Sequence, residues 1–171
     1  MQNQSQEKKE ERQILIFQVL NEEFGLDISC VREVLRQQEI YRLPKTPEFI
    51  EGVINLRGHI VPLIDLRKRL FPPHPFPPPS EGEGEGGGKK GKRIIICKVN
   101  KLIVGLTVDS LKEIIALPEK NIKPTPELTT MQMEAAVTSG LAEIGERIIP
   151  ILDLAHIVTK KEAIELSGRE R

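Results

Sequence analysis

The chain has 171 residues, and its 25 lysines and arginines are balanced by 25 aspartates and glutamates, so it carries no net formal charge. That length buries one good core or two small ones leaning on each other, hardly two independent domains. The even charge, the scarcity of aromatics and the lack of a basic stripe argue against a nucleic-acid partner, and no apolar run is long enough to insert across a bilayer, so a cytoplasmic protein is expected.

Met1–Arg12 is rich in Gln, Glu and Lys and reads as a disordered tail, because it has nothing to bury against the entropy of ordering it. Residues 13–166 read as one domain, and 167–171 as a second tail. Ile14–Leu20 and Phe24–Ile28 are β-branched or large, with Asn21 and Glu22 suited to a tight turn, which predicts a hairpin. After it Val31, Val34 and Leu35 have helical spacing, and Thr46 before Pro47 reads as a helix cap followed by a first-turn proline. Val53–Leu56 and His59–Ile64 form a second predicted hairpin around Arg57 and Gly58. Pro62 lies inside its returning strand, and without an amide to donate it demands an edge or a bulge. Asp65 caps a short predicted helix that Pro72 and Pro73 would stop. Residues 72–92, mostly Pro, Gly, Glu and Lys, read as an elongated surface loop, stiff at first and flexible after Ser80.

The chain then starts again. Phe24–Leu35 returns as Val104–Ile115, displaced by 80 residues (Gly25 to Gly105), and Gly52–Leu56 with Ile60–Leu66 returns as Gly140–Ile144 with Ile148–Leu154, displaced by 88 (Gly52 to Gly140). Asn100 and Lys101 hold the bend of the repeated first hairpin, between Ile94–Val99 and Lys101–Val108. Leu111, Ile114 and Ile115 again have helical spacing, here behind Ser110 and Glu113 in capping-box order. Thr125, Pro126 and Glu127 copy Thr46, Pro47 and Glu48; Gly145 and Glu146 hold the second bend; Pro150 and Asp153 match Pro62 and Asp65, and a C-terminal helix is expected over Thr159–Leu166. Two copies are too few for a solenoid and point to two related subdomains. Short strands with helices only at the corners favour two small β-barrels packed side by side, with function in what they hold between them.

Chemistry is sparsely provided for. Cys30, His59 and Asp65 could on paper supply a nucleophile, a base and an orienting group, but Asp65 already has a capping role, and the second copy has Ser110 and Arg147 where Cys30 and His59 stand. Gly82–Gly91 follows no strand and opens no helix, so it is no phosphate loop, and no ligand spacing suggests a metal. Neither catalysis nor a cofactor is expected, and Cys30 and Cys97, among apolar neighbours, read as buried thiols.

The run Phe24–Ile28 with Val31, Glu33 and Val34, then Leu43, Pro44, Pro47, Phe49 and Ile50, and above all Gly52–Gly58 with Ile60–Leu66, closely resembles the CheW family. The likeness extends from Gln13 to Glu165, broken only by the proline and glycine loop, which is longer than the usual family connection. Without an appended receiver or kinase segment it fits CheW better than CheV or CheA, which carry similar modules. The resemblance implies a mainly β fold of two pseudo-repeated five-stranded SH3-like barrels around a shared core, with short corner helices and a C-terminal helix. It also implies a non-catalytic adaptor that couples methyl-accepting chemoreceptors to the histidine kinase CheA at membrane-associated arrays. In that family the groove between the barrels takes the receptor's hairpin tip, and barrel ends pair with the CheA regulatory domain. By position, Val31, Arg57, Leu111 and Ile114 would be receptor-binding residues, and Glu33 with Arg57 a charged pair near the interface. The residues alone leave other readings open: core packing for the apolar three, a local strut for the pair, or a small barrel that binds something outside chemotaxis. Because the second copy has Gly145 in place of Arg57, the fold itself would not ask for arginine there, which favours a role beyond folding.

Overall fold

A computed structural model describes residues 11–71, 92–124 and 138–158. Strands β1 (Glu11–Val19) and β2 (Glu22–Asp27) form the first hairpin, followed by β3 (Val31–Arg36), β4 (Ile50–Leu56), β5 (His59–Asp65) and helix α1 (Leu66–Leu70). The second half supplies β6 (Arg93–Val99), β7 (Leu102–Val108), β8 (Ser110–Pro118), β9 (Ile122–Lys123), β10 (Thr138–Ile144), β11 (Arg147–Leu152) and helix α2 (Leu154–Ile157). The first strand begins before Gln13, because Glu11 and Arg12 pair with Pro118 and Leu117.

These strands form a six-stranded sheet in the order β8-β1-β2-β11-β10-β9 and a five-stranded sheet in the order β3-β6-β7-β5-β4. The repeat is therefore real, but its halves are not the barrels. Hairpin β1–β2 sits among strands of the second half, and hairpin β6–β7 among strands of the first. Each lent hairpin joins its host antiparallel on one side, β1 to β8 and β6 to β3, and parallel on the other, Gly25 beside Ile151 and Gly105 beside Leu63. Glycine is required at both crossings: a Cβ on Gly25 would stand 2.7 Å from Ile14 Cγ2, and one on Gly105 would run into Leu63 Cδ2.

Alternation along the lent strands divides the core. Ile14 and Ile16 point into the first barrel with Leu117, Ala142, Ile149 and Ile151, while Leu15, Phe17 and Val19 point the other way. In β6, Ile94 and Ile96 fill the second barrel with Ile54, Val61 and Leu63, and Ile95, Cys97 and Val99 again face outward. The outward sets meet with Phe24, Leu26, Leu106 and both corner helices in one core shared by the barrels. Both faces of these strands are covered, which is why Ile14–Phe17 and Ile94–Cys97 are unbroken buried runs.

Two expected helices are strands. Val31–Arg36 pairs with β6 and Ser110–Pro118 with β1, each through a bulge. The extra residue interrupts the alternation and puts apolar side chains three and four apart, a spacing that imitates a helix. Ser110 and Glu113 form no capping box: the Ser110 hydroxyl donates to Gln18 Oε1 at 3.3 Å, and Glu113 accepts from Arg147. What is helical beside these strands is 3-10: Ile28–Cys30, capped by Asp27, before β3, and Glu119–Asn121 after β8. Thr46 likewise caps no helix, since its hydroxyl donates to the Leu43 carbonyl in a turn.

Other expectations hold in detail. Asp65 and Asp153 accept from the amides of Arg67 and Ala155 at 2.9 and 3.0 Å, capping α1 and α2. Pro62 and Pro150 lie in interior strands, yet the parallel pairing begins one residue later, at Leu63 and Ile151, so each proline has a strand on one side only. Cys97 is buried, and burial pushes its thiol up to about 12, whereas Cys30 is only half-buried. The stop at Pro72 and Pro73, most of the proline and glycine loop, Thr125–Glu127 and the C-terminal helix lie outside the described residues.

Candidate functional site

The turn between β4 and β5 is made by Arg57 (φ 51°) and Gly58 (φ 85°), two left-handed residues in succession, the backbone that a two-residue hairpin favours. Asn55 Oδ1 accepts from the Gly58 amide at 2.9 Å and holds the turn from inside. So held, Arg57 directs its guanidinium at Glu33, with Nη1 donating to Oε1 at 3.1 Å and Nη2 to Oε2 at 2.8 Å. Glu33 lies on β3 and Arg57 at the end of β4, the two outer strands of the five-stranded sheet, so this fork-to-carboxylate pair closes the barrel. The hydrogen bonds and charge of Glu33 raise the Arg57 pKa above its ordinary value. The arginine side chain is 71% exposed and Glu33 27%, so a partner can reach this pair.

Beside it opens a cleft of about 1010 Å³ between the tips of hairpins β4–β5 and β6–β7 and the start of β3. Val61, Ile96 and Leu102 are buried in its floor, Ile60 is 43% exposed, and Arg32 and Lys101 stand among its lining residues.

The first barrel has a corresponding pair. Glu113, the repeat of Glu33, accepts from Arg147 Nη1 at 3.3 Å, and Arg147 also reaches Glu23. Arg147 occupies the place of His59 in the repeat, so the closing arginine has moved two residues along the hairpin. Gly145 at the place of Arg57 therefore does not mean that the fold dispenses with arginine at this corner. The glutamate present in both copies was the signal that could have revealed this.

Val31 lies opposite Cys97 and Leu111 opposite Phe17, and both are half-buried against the shared core. They flank that core from different sheets. The corner helices brace the seam: Arg69 donates to the carbonyls of Ile157 and His156 and lies 4.5 Å over the Phe49 ring, and Arg67 meets Asp109, which also accepts from the Leu20 amide. Ile114, 57% exposed on β8, belongs to the sheet opposite Arg57 and is not core. Of the proposed residues the structure thus joins Glu33 with Arg57, sets Val31 and Leu111 along one seam, and leaves Ile114 on an outer face. Ile60 and its repeat Ile148 (63% exposed), with Arg32 and Lys101, are surface features that the sequence reading missed.

The Cys30, His59 and Asp65 set is not assembled, because His59 starts β5 and Asp65 ends it, a separation of roughly 20 Å along an extended strand. Among the described residues no group of three His, Cys, Asp or Glu side chains is placed to hold a metal, and no helix is long and apolar enough to cross a membrane.

Comparison with known proteins places this geometry. The CheW-like domain model matches residues 13–162. The chain is 32% identical over 151 residues to a chemotaxis protein CheW of Klebsiella aerogenes, covering 88% of this chain and 84% of that one. It is 29% identical over 157 residues to the chemotaxis protein CheW of Bacillus subtilis, covering 92% of each. Among solved structures it superposes on the scaffolding protein TtCheW from Thermoanaerobacter tengcongensis with a TM-score of 0.74 at 36% identity, covering 89% of this chain and 90% of that one.

Proposed function

The chain belongs to the CheW family, and from that premise we propose that it is a non-catalytic adaptor coupling methyl-accepting chemoreceptors to the histidine kinase CheA. An adaptor must hold two partners at once, and the observation that carries the reading is the presence of two surfaces of different character that meet along β3. One is the seam bordered by Val31 and Leu111 over the shared core, suited to the hairpin tip of a receptor. The other is the barrel end framed by Glu33 and Arg57, suited to the regulatory domain of the kinase. Arg57 is a receptor residue by position, but its place at the barrel end, lining the cleft with Glu33, favours the kinase. The adaptor works in the cytoplasm, held at receptor arrays by its partners.

The test is co-sedimentation of the chain with a purified receptor cytoplasmic fragment and with CheA, singly and together. Retention by each, a ternary complex with both, and a change in kinase autophosphorylation are expected. A chain that binds neither, or that itself carries a stable phosphoryl group, overturns the reading.

A further inference from the structure

The two barrel ends share a backbone and differ in charge. In β3 the bulge leaves Arg32 as the extra residue between Val31, opposite Cys97, and Glu33, opposite Ile96. In β8 it leaves Lys112 between Leu111, opposite Phe17, and Glu113, opposite Ile16. A bulge releases one side chain from the ladder and re-aims it, so each barrel presents a cation at this point. At the neighbouring hairpin tip the copies part. Lys101 (φ 72°) occupies the place that Asn21 (φ 66°) holds in the first barrel, with the same left-handed backbone.

The balance follows from the contacts. In the second barrel Glu33 is already engaged by Arg57, and neither Arg32 nor Lys101 has a side-chain partner among the described residues, so the cleft keeps two uncompensated positive charges. In the first barrel Arg147 is held by both Glu113 and Glu23, and these three side chains together with Lys112 sum to zero formal charge. The chain as a whole is neutral, and the fold tolerates asparagine at the tip. The positive cleft is therefore a local addition, and its floor of Val61, Ile96 and Leu102 is apolar.

Resting on the reading that this barrel end meets the kinase, we infer that the cleft receives an acidic segment of the kinase regulatory domain. A carboxylate sits between Arg32 and Lys101, and an aliphatic or aromatic side chain lies against Ile60 and Leu102. The Glu33–Arg57 pair is the frame of this site, and the two unpaired cations read the charge. Uncompensated charge beside an apolar floor speeds encounter with an opposite partner and makes association sensitive to salt.

The experiment compares the full chain with the double variant Arg32→Glu/Lys101→Glu and with Lys112→Glu, its repeat counterpart, after checking that each melts as a folded protein. Affinity for the CheA regulatory domain is measured at low and high salt, with the receptor fragment in parallel. The double variant is expected to lose about tenfold or more in kinase affinity, a typical scale for opposed interfacial charge, and most of the salt dependence, while keeping the receptor. Unchanged kinase affinity, or an equal loss in Lys112→Glu, overturns the inference. A second arm titrates the full chain with the synthetic peptide Glu-Leu-Glu-Glu-Leu and follows the amide resonances of Gly58 and Lys101. Shifts in the parent chain that disappear in the double variant and at high salt are expected. If the chain binds neither kinase nor receptor, the adaptor reading fails while this arm still decides the cleft, and unmoved resonances overturn it.

Discussion

In the second barrel the closing arginine sits in the turn itself, at Arg57, and is largely exposed; in the first it sits on the strand, at Arg147, and engages two glutamates. A left-handed turn position suits glycine, and Gly145 (φ 61°) takes it in the first barrel without steric cost. Arg57 takes the same backbone less comfortably, and in return its guanidinium stands at the outermost point of the barrel end. Closing a barrel does not need this placement. What sets the two ends apart is where the arginine is put, not its presence.

The comparison is broken hardest from the core that the barrels share. Phe17 is fully buried there and stacks on Phe24 with ring centroids 6.2 Å apart, so Phe17→Ala should cost about 3–5 kcal/mol. Denaturant unfolding should show both barrels melting in one transition; two separated transitions would mean that each barrel stands alone. Next come the parallel crossings. Adding a methyl group at Gly105 or Gly25 should cost about 1–3 kcal/mol by overpacking, more at Gly105, where Leu63 is met more closely than Ile14 is at Gly25. Equal melting temperatures for Gly105→Ala and the parent chain would refute that account.

The two arginines separate binding from folding. Arg57→Glu should weaken ternary-complex assembly and leave the melting temperature almost unchanged. Arg147→Glu would gather three carboxylates with Glu23 and Glu113, and should lower the melting temperature more than Arg57→Glu while sparing kinase binding. The reverse pattern would exchange their roles.

The smallest effect concerns the ends of the lent hairpins, Asp27 in the first and its repeat Thr107 in the second. Burial works to raise the Asp27 pKa, but the amide and hydroxyl of Ser29 and the Arg12 guanidinium outweigh it, and the net shift is downward. A carboxyl with a depressed folded-state pKa stabilises the fold above its ordinary value of 3.8 and loses that contribution as pH falls through the folded value. Asp27→Asn should therefore lower the melting temperature slightly at neutral pH, and the difference should vanish in acid. Thr107, which donates to Glu51 at 2.7 Å, has no carboxyl to titrate, so Thr107→Val should show no such convergence tied to its own ionisation. A gap for Asp27→Asn that persists into acid would count against the linkage.

The hairpins, the Asp65 and Asp153 caps and the Asn100 and Lys101 turn were legible in the sequence because each rests on neighbours along the chain. The Thr46 cap and the Ser110 and Glu113 capping box, by contrast, do not form, and the first turn lies at Leu20 and Asn21, one residue before the Asn21 and Glu22 read from the sequence. The exchange of hairpins was not legible, since alternation tells which face of Ile14 or Ile94 is buried but not which strands lie across from it. The bulges in β3 and β8 misled because an extra residue turns a period of two into spacings of three and four. At the site, Glu33 and Arg57 were found through the resemblance. Arg32 and Lys101 were passed over because only a bulge and a left-handed turn, features of the folded backbone, bring them to one cleft.

The lent hairpins also settle what counts as a unit. Strand β1 finds its partner β8 about a hundred residues later, as Ile14 beside Ile115 shows, and β6 reaches back to β3. Chain severed between the repeats would leave each piece with a hairpin and no host, and a host with no hairpin. A single repeat on its own could complete the pattern only by trading hairpins with a twin. Joining both repeats in one polypeptide turns that exchange into an internal one: the trade always finds its counterpart at one-to-one ratio, and the two ends are free to diverge.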